Sequence, residues 1–236
     1  MVHRTLAILL AGFFVNLSDA EASSPIENEI GVFTAVVGTV TVDHPSIARL
    51  QPVKLHDEVL FKDVIETSFK SRTKAFFIDD SVLTIGENSR VEVTEHIYNP
   101  DQNQRSMVVN LFSGKIRALV SKAFKGAGSK FEIHTPTAVA AARGTYFVVW
   151  TEQGTTGIVN IGESGRVDFT SGAATVSVAP GEYSVIGPDG LPTSPSVYQT
   201  DMNGGGAPAS GVNVVPPPTT ADGALLLPVE QGPGNV

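Results

Sequence analysis

The chain has 236 residues, 42% hydrophobic and 17% charged, with a formal net charge of −8 at pH 7 and no cysteine. An acidic balance without clustered Lys or Arg argues against nucleic acid and anionic membrane surfaces as partners. The missing cysteines exclude disulfides, thiol catalysis and thiolate metal sites, so the fold must be held by its core alone.

Taken in chain order, the first predicted element is a targeting segment. His3 and Arg4 form a short basic start, residues 6–17 are an apolar run, and Ala20-Glu21-Ala22 is a small-x-small cleavage site. The run is too short to span a bilayer, which takes roughly 20 apolar residues. Residues 1–22 are therefore expected to be a signal peptide removed after Ala22, which places the mature chain in the periplasm or outside the cell. Removal takes away one arginine and two acids, so the net charge moves from −8 to −7. No later segment reaches transmembrane length.

From residue 30 to residue 187 the hydrophobic period is two almost throughout. T-V-T-V-D (39–43), S-V-L-T-I (81–85), R-V-E-V-T (90–94), M-V-V-N-L (107–111), Y-F-V-V-W (146–150), G-I-V-N-I (157–161), R-V-D-F-T (166–170) and T-V-S-V (175–178) are short runs rich in Val, Ile, Phe and Thr. Most end near Gly, Asn, Asp, Ser or Pro, which is an all-β pattern. Helical periodicity is credible only in the signal peptide and around residues 115–124, where I-R-A-L-V-S-K-A-F also reads as a strand. Residues 83–93, L-T-I-G-E-N-S-R-V-E-V, recur at 159–169 as V-N-I-G-E-S-G-R-V-D-F, with five identical positions. Each copy reads as strand, short turn, strand. Shorter-turn versions occur at V-N-L-F-S-G-K-I (109–116) and V-S-V-A-P-G-E-Y (176–183). Such units cannot bury their apolar faces singly, so hairpins stacked as a β-solenoid-like coil or as a compact β-sandwich are both expected.

Beyond Gly187 the alternation stops. G-P-D-G, P-T-S-P-S, G-G-G-A-P and V-V-P-P-P-T-T are dense in Pro and Gly and poor in charge, so residues 188–236 are expected to be a disordered tail. Pro216-Pro217-Pro218 reads as solvated linker in preference to a polyproline II contact. One apolar patch, A-L-L-L-P-V (224–229), stands apart from that composition.

Several blocks resemble the FecR domain family. They are V-V-G-T-V-T-V (36–42), L-H-D-E-V-L-F-K-D-V-I-E-T (55–67), A-F-F-I-D-D-S-V-L-T-I-G-E-N-S-R-V-E-V (75–93), L-F-S-G-K-I-R (111–117) and F-E-I-H-T-P-T-A-V-A-A-A-R-G-T-Y-F-V-V (131–149), in the family's order. One position departs: Asp79-Asp80-Ser81 stands where the family usually has Asp-Gly before Ser. The resemblance implies an envelope β-domain used for sensing or protein contacts, and a family motif at Thr135, Pro136, Arg143, Gly144 and Thr145. Family members of the usual design carry a cytoplasmic anti-sigma segment and one transmembrane helix, where this chain has its export signal. From the residues alone, Arg143 lies between A-V-A-A-A and Y-F-V-V, so it is expected to be a partly buried internal clamp, paired with a carboxylate or carbonyls, in preference to a ligand contact. Thr135-Pro136 is expected to end a strand, and Gly144 to permit a bulge or a close approach.

Other chemistry has weaker grounds. Ser164, within Gly162-Glu163-Ser164-Gly165, resembles a protease nucleophile turn. The repeat has Asn88 at that place and Arg166 breaks G-x-S-x-G, so a turn explains the residues better. His44, His56, His96 and His134 lack zinc-ligand spacing. Asp57, Glu58, Asp63, Glu66, Asp79 and Asp80 lack the calcium-loop pattern and are expected to form a solvated acidic face. No catalytic residue, metal or cofactor is assigned. The expected role is non-enzymatic binding of an envelope protein or small ligand in sensing or regulation, with a structural or adhesive scaffold as the alternative.

Overall fold

The structure is a computed structural model that describes residues 29–46, 50–124, 128–187, 189–200 and 206–208. Among them every regular element is a strand, and the chain shuttles between two sheets, here sheet I and sheet II. It starts in sheet I with β1 (Glu29–Val37), crosses to sheet II with β2 (Val40–Asp43) and β3 (Gln51–Pro52), and returns with β4 (Glu58–Leu60). β5 (Val64–Thr67) lies in sheet II, β6 (Arg72–Phe77) and β7 (Val82–Ile85) in sheet I, and β8 (Arg90–Asn99) in sheet II. β9 (Gln104–Leu119) begins in sheet II and ends in sheet I. β10 (Lys130–His134) and β11 (Val139–Ala142) follow in sheet II, β12 (Tyr146–Glu152) and β13 (Thr155–Asn160) in sheet I, β14 (Val167–Ser171) and β15 (Ala174–Val178) in sheet II. β16 (Glu182–Val185), β17 (Ser196–Thr200) and β18 (Gly206–Pro208) complete the edge of sheet I.

Sheet I has the order β4-β1-β6-β7-β9-β12-β13-β16-β17-β18, all antiparallel. Sheet II has the order β3-β2-β5-β8-β9-β10-β11-β14-β15, with β9 and β10 its one parallel pair. β9 joins the two by bending at Ser113-Gly114. Arg90 pairs with Ser113 on one side of the bend, and Gly114 pairs with Thr151 on the other. Gly114 has φ of 84°, and a Cβ there would lie 2.2 Å from the Ser89 hydroxyl, so both conformation and space require glycine.

The core fills the space between the sheets. Phe33, Ala75, Phe77 and Phe147 from sheet I meet Val91, Val93, Phe131 and Phe169 from sheet II in one buried cluster. Phe124, Phe131 and Phe147 form a chain of edge-to-face rings with centroids 5.8 and 6.3 Å apart. This arrangement is layered and open at its edges, as the sandwich reading expects.

Three expectations change in detail. The repeated units are not hairpins: β7 and β8 belong to different sheets, as do β13 and β14, so each copy is an arch whose turn carries the chain across the core. Alternation on both sides of a turn is common to hairpins and arches, which is why the sequence pattern does not separate them. Residues 115–119 are strand and not helix, because Ile116 and Ala118 enter the core at a spacing of two, as does Val120 beyond them. Finally, described structure continues past Gly187. Ile186 bridges to Pro192, Ser184 Oγ donates to the Thr193 carbonyl at 2.7 Å, and β17 pairs with β16, so the start of the segment 188–236 is docked on sheet I. The signal peptide expected at residues 1–22 and the segment 209–236 lie outside the described residues.

The Asp79-Asp80-Ser81 turn keeps the geometry that a glycine would give. Asp80 adopts φ of 66°, while Asp79 accepts hydrogen bonds from the Ser81 amide and hydroxyl. A short polar side chain tolerates the left-handed region better than most.

Candidate binding groove and the signature motif

The motif residues separate into two groups at opposite ends of the sandwich. Thr135 closes the β10–β11 turn: its amide donates to the Ala138 carbonyl at 2.8 Å, and its hydroxyl accepts from the Ala138 amide at 3.0 Å. The same hydroxyl lies 3.1 Å from that of Thr156, which also receives Thr137 Oγ1 at 2.7 Å and donates to Thr151 at 3.2 Å. A chain of four threonine hydroxyls thus ties the β10–β11 turn in sheet II to the β12–β13 hairpin in sheet I. Pro136 is exposed at the tip of this turn.

Arg143 stands at the other end of β11 and is exposed, which corrects the internal-clamp expectation. Its side chain has no hydrogen bond or ion pair among the described residues. The flanking apolar residues Ala142 and Phe147 are buried because they occupy alternate strand positions, and Arg143 falls in the bend between strands, where that alternation no longer directs it inward. Arg143→Ala is therefore expected to leave stability within about 0.5 kcal/mol of the parent. Thermal melts of the two proteins check this, and a large loss would restore the clamp.

Gly144 and Thr145 are the structural part of the motif. Gly144 has φ of 62° and packs so closely that a Cβ would meet Lys122 Cα at 3.0 Å. Thr145 is buried, accepts the Val120 amide on its carbonyl at 2.9 Å and donates its hydroxyl to Asn160 Oδ1 at 3.2 Å. Above it sits the second arch, where Cβ atoms on Gly162 or Gly165 would come within 2.7 and 3.0 Å of Thr145. Ser164 is exposed on that arch, and the described histidine contacts lie elsewhere: His44 with Phe61, His96 with Asp79, His134 with Glu132.

The first arch, Gly86-Glu87-Asn88-Ser89, marks the opposite end. Thr67 holds it, donating its hydroxyl to the Gly86 carbonyl and accepting the Ser89 amide at 3.0 Å, and Asn88 supplies the left-handed residue at φ of 52°. Beside it opens a groove of about 390 Å³. Its walls come from Phe69 before β6, Glu87 and Asn88 on the arch, Phe112 to Lys115 at the β9 bend, Pro136, and the β12–β13 turn from Thr151 to Gly154. Two rings stand out from this surface: Phe69 is 67% exposed and Phe112 43%. Cations lie over both, Lys70 Nζ at 5.3 Å from the Phe69 centroid and Arg90 Cζ at 5.7 Å from that of Phe112. Lys115 lies buried in the groove wall. Burial pushes its amine below the usual lysine range, while the nearby Glu87 and Glu152 carboxylates act in the other direction. The groove thus joins an aromatic ridge to a pair of carboxylates.

Nothing in the sequence patterns brought Phe69, Phe112 and Pro136 together, because they are far apart in the chain and meet only through the β9 bend. The acidic region also differs from expectation. Asp63 and Asp79 are fully buried, not solvated, and among the described residues no group of three or more His, Asp or Glu converges as a metal site.

The family model described as FecR protein matches residues 63–168, ending further along the chain than the motif blocks and starting later. Two crystal structures of a proposed anti-sigma factor from Parabacteroides distasonis, at 2.50 and 1.65 Å resolution, are similar to the chain with TM-scores of 0.47 and 0.45. Both share 14% identity over 57% of this chain and 59% of that one, so the chain spans less than two thirds of that protein. No curated protein matches. Residues 63–168, from just before β5 into β14, match the FecR family model, so the resemblance read from the sequence blocks is borne out over that stretch.

Proposed function

We propose that the protein is an exported, non-enzymatic regulatory or sensing module, and that it binds an extended segment of an envelope protein in the groove beside the first arch. The observation that carries this reading is the pair of outward-standing rings, Phe69 and Phe112, flanking a groove with Pro136 and two carboxylates on its walls. Exposed aromatic anchors beside a concave surface are what protein contacts use most, since each buries much area at little entropic cost. Glu87 and Glu152 stand near Lys115 in the wall, and Lys70 and Arg90 lie over the rings, so the mouth offers both signs of charge to a segment with polar residues among its apolar ones. The FecR domain supports a sensing role, and the leader-like start of the chain supports export.

The test is site-specific photo-crosslinking in intact cells, with the crosslinker at position 69 or 112 and a control at Ser164 on the opposite arch. One partner captured at both groove positions and not at Ser164 is the expected result. Phe112→Asp should abolish that capture while melting like the parent, because an exposed ring contributes little to the fold. Equal capture at both ends, or none at the groove, would remove the groove from the function.

A further inference from the structure

Two chain crossings lie side by side at the groove end of the sandwich. The first arch carries the chain from β7 in sheet I to β8 in sheet II, and residues 68–71 carry it between the sheets in the other direction, from β5 to β6. The two are interlocked through their backbones. The Ser68 carbonyl accepts the Ser71 amide at 3.1 Å, which closes the turn, and the Asn88 amide at 3.3 Å, which ties the turn to the arch. Just before it, the Thr67 amide donates to the Ser89 carbonyl at 2.9 Å. The ends of the 68–71 crossing are therefore fixed, and its tip is Phe69-Lys70. There the local forces work against order. Phe69 is 67% exposed, so burial does not hold its ring in place. Lys70 has φ of 55°, a left-handed conformation that Gly or Asn adopts far more readily than a long side chain. Two hydrogen bonds act on the tip. Within the turn, Ser71 Oγ donates to the Phe69 carbonyl at 3.2 Å. From outside it, Glu87 Oε2 accepts the Lys70 amide at 2.8 Å.

The structure assigns Glu87 as the positioning residue of the groove: its carboxylate oxygen holds Lys70 in the left-handed conformation and so stands the Phe69 ring at the mouth, a role that rests on the binding function proposed for that groove. Strained backbone of this kind persists only where neighbours over-determine it, and it collects at contact sites. A charged acceptor makes a stronger bond to an amide than a neutral one does. The arch that carries Glu87 is itself well placed, since the Lys115 stem packs against Gly86, where a Cβ would lie 2.5 Å from Lys115 Cγ. Glu87 has a second neighbour in the Lys115 amine, whose charged form its carboxylate favours. The two relationships need different chemistry. Holding Lys70 requires an oxygen acceptor, whereas supporting a charged Lys115 requires a negative charge. Glutamine supplies the first without the second.

The experiment compares the full chain with Glu87→Ala and Glu87→Gln in two readouts: amide hydrogen exchange, and photo-crosslinking in intact cells with the crosslinker at position 112. Exchange of the Lys70 amide reads the turn with no ligand present. In Glu87→Ala it should accelerate about tenfold or more, while the amides of β6 and β7 keep their protection, which separates loss of the turn from loss of the fold. Partner capture at position 112 should fall several-fold in the same variant. Glu87→Gln should match the parent in both readouts. Unchanged exchange at Lys70 in Glu87→Ala overturns the assignment, whatever the capture shows. So does a glutamine variant that exchanges as fast as the alanine one, which would give the effect to the charge beside Lys115. Faster exchange with undiminished capture supports Glu87 as the holder of the turn and overturns only the part of Phe69 in binding.

Discussion

Asn160→Ala is expected to cost about 3 kcal/mol or more, among the largest losses any polar substitution in this domain would cause. Asn160 is fully buried, and all four of its hydrogen-bonding positions are filled. Its Oδ1 accepts from the Gly162 amide at 3.1 Å and from the Thr145 hydroxyl at 3.2 Å, while its Nδ2 donates to the Gly165 and Val178 carbonyls, both at 3.1 Å. One side chain therefore joins β12, the second arch and the end of β15. Alanine leaves those groups without partners and opens a small cavity among them. Asn160→Asp, nearly the same shape, should fail to rescue, because a carboxylate cannot donate to the two carbonyls and brings a buried charge. Ser164→Ala, four residues away on the exposed tip, should melt like the parent. Denaturant unfolding of the three variants checks the ordering. If Ser164→Ala were the damaging change, or if Asn160→Ala were neutral, the arch would be held by something other than this bolt.

The same comparison shows why the sequence discloses some of this structure and hides the rest. Alternation of apolar residues is a local property, and it marks β2, β7, β8, β9, β12, β13, β14 and β15, each of which puts residues into the core. The repeat of residues 83–93 at 159–169 was equally visible, yet its meaning was not. Whether β7 and β8 pair with each other or lie in opposite sheets depends on neighbours such as β9, which no window around residue 86 contains. The two copies are also held differently: Thr67 secures the first arch, while Asn160 and Thr145 secure the second, so the similarity of the turns does not extend to their supports. Arg143 illustrates the opposite limit. Apolar flanks are good evidence of burial within a strand, but at a bend the side chain points where the turn directs it, here into solvent. The groove was hidden for a third reason. Phe69 and Phe112 lie far apart in the chain with no local pattern that pairs them, and the bend at Gly114 sets them at one mouth.

The second large effect concerns pH. Asp63, 1% exposed, has one carboxylate oxygen accepting the Leu60 amide at 2.8 Å and the other, Oδ1, without a hydrogen-bond partner among the described residues. Burial raises its pKa from 3.8 to about 6; the Leu60 amide and the charge of nearby His44 offset only part of that. The folded state thus holds a proton that the unfolded chain releases at lower pH. Between these two values the native state binds more protons, so stability falls as pH rises. The contribution is whole below pH 3.8 and gone above about pH 6, a difference of about 3 kcal/mol. Glu95 works in the other sense: its hydrogen bond from Ser106, and then Lys130, lower its pKa, so its stabilisation is lost as pH falls. Comparing the parent with Asp63→Asn separates the two. The amide oxygen keeps the Leu60 bond and no charge remains to be buried, so the variant should exceed the parent at pH 7.5 by about 2 kcal/mol, after allowance for one unpaired N–H. That advantage should shrink steadily as pH falls from 6 to 4, and near pH 4 the two proteins should melt together. A constant gap across the whole range, or a variant weaker than its parent at pH 7.5, would show that Asp63 is ionised in the fold and is held by a partner charge.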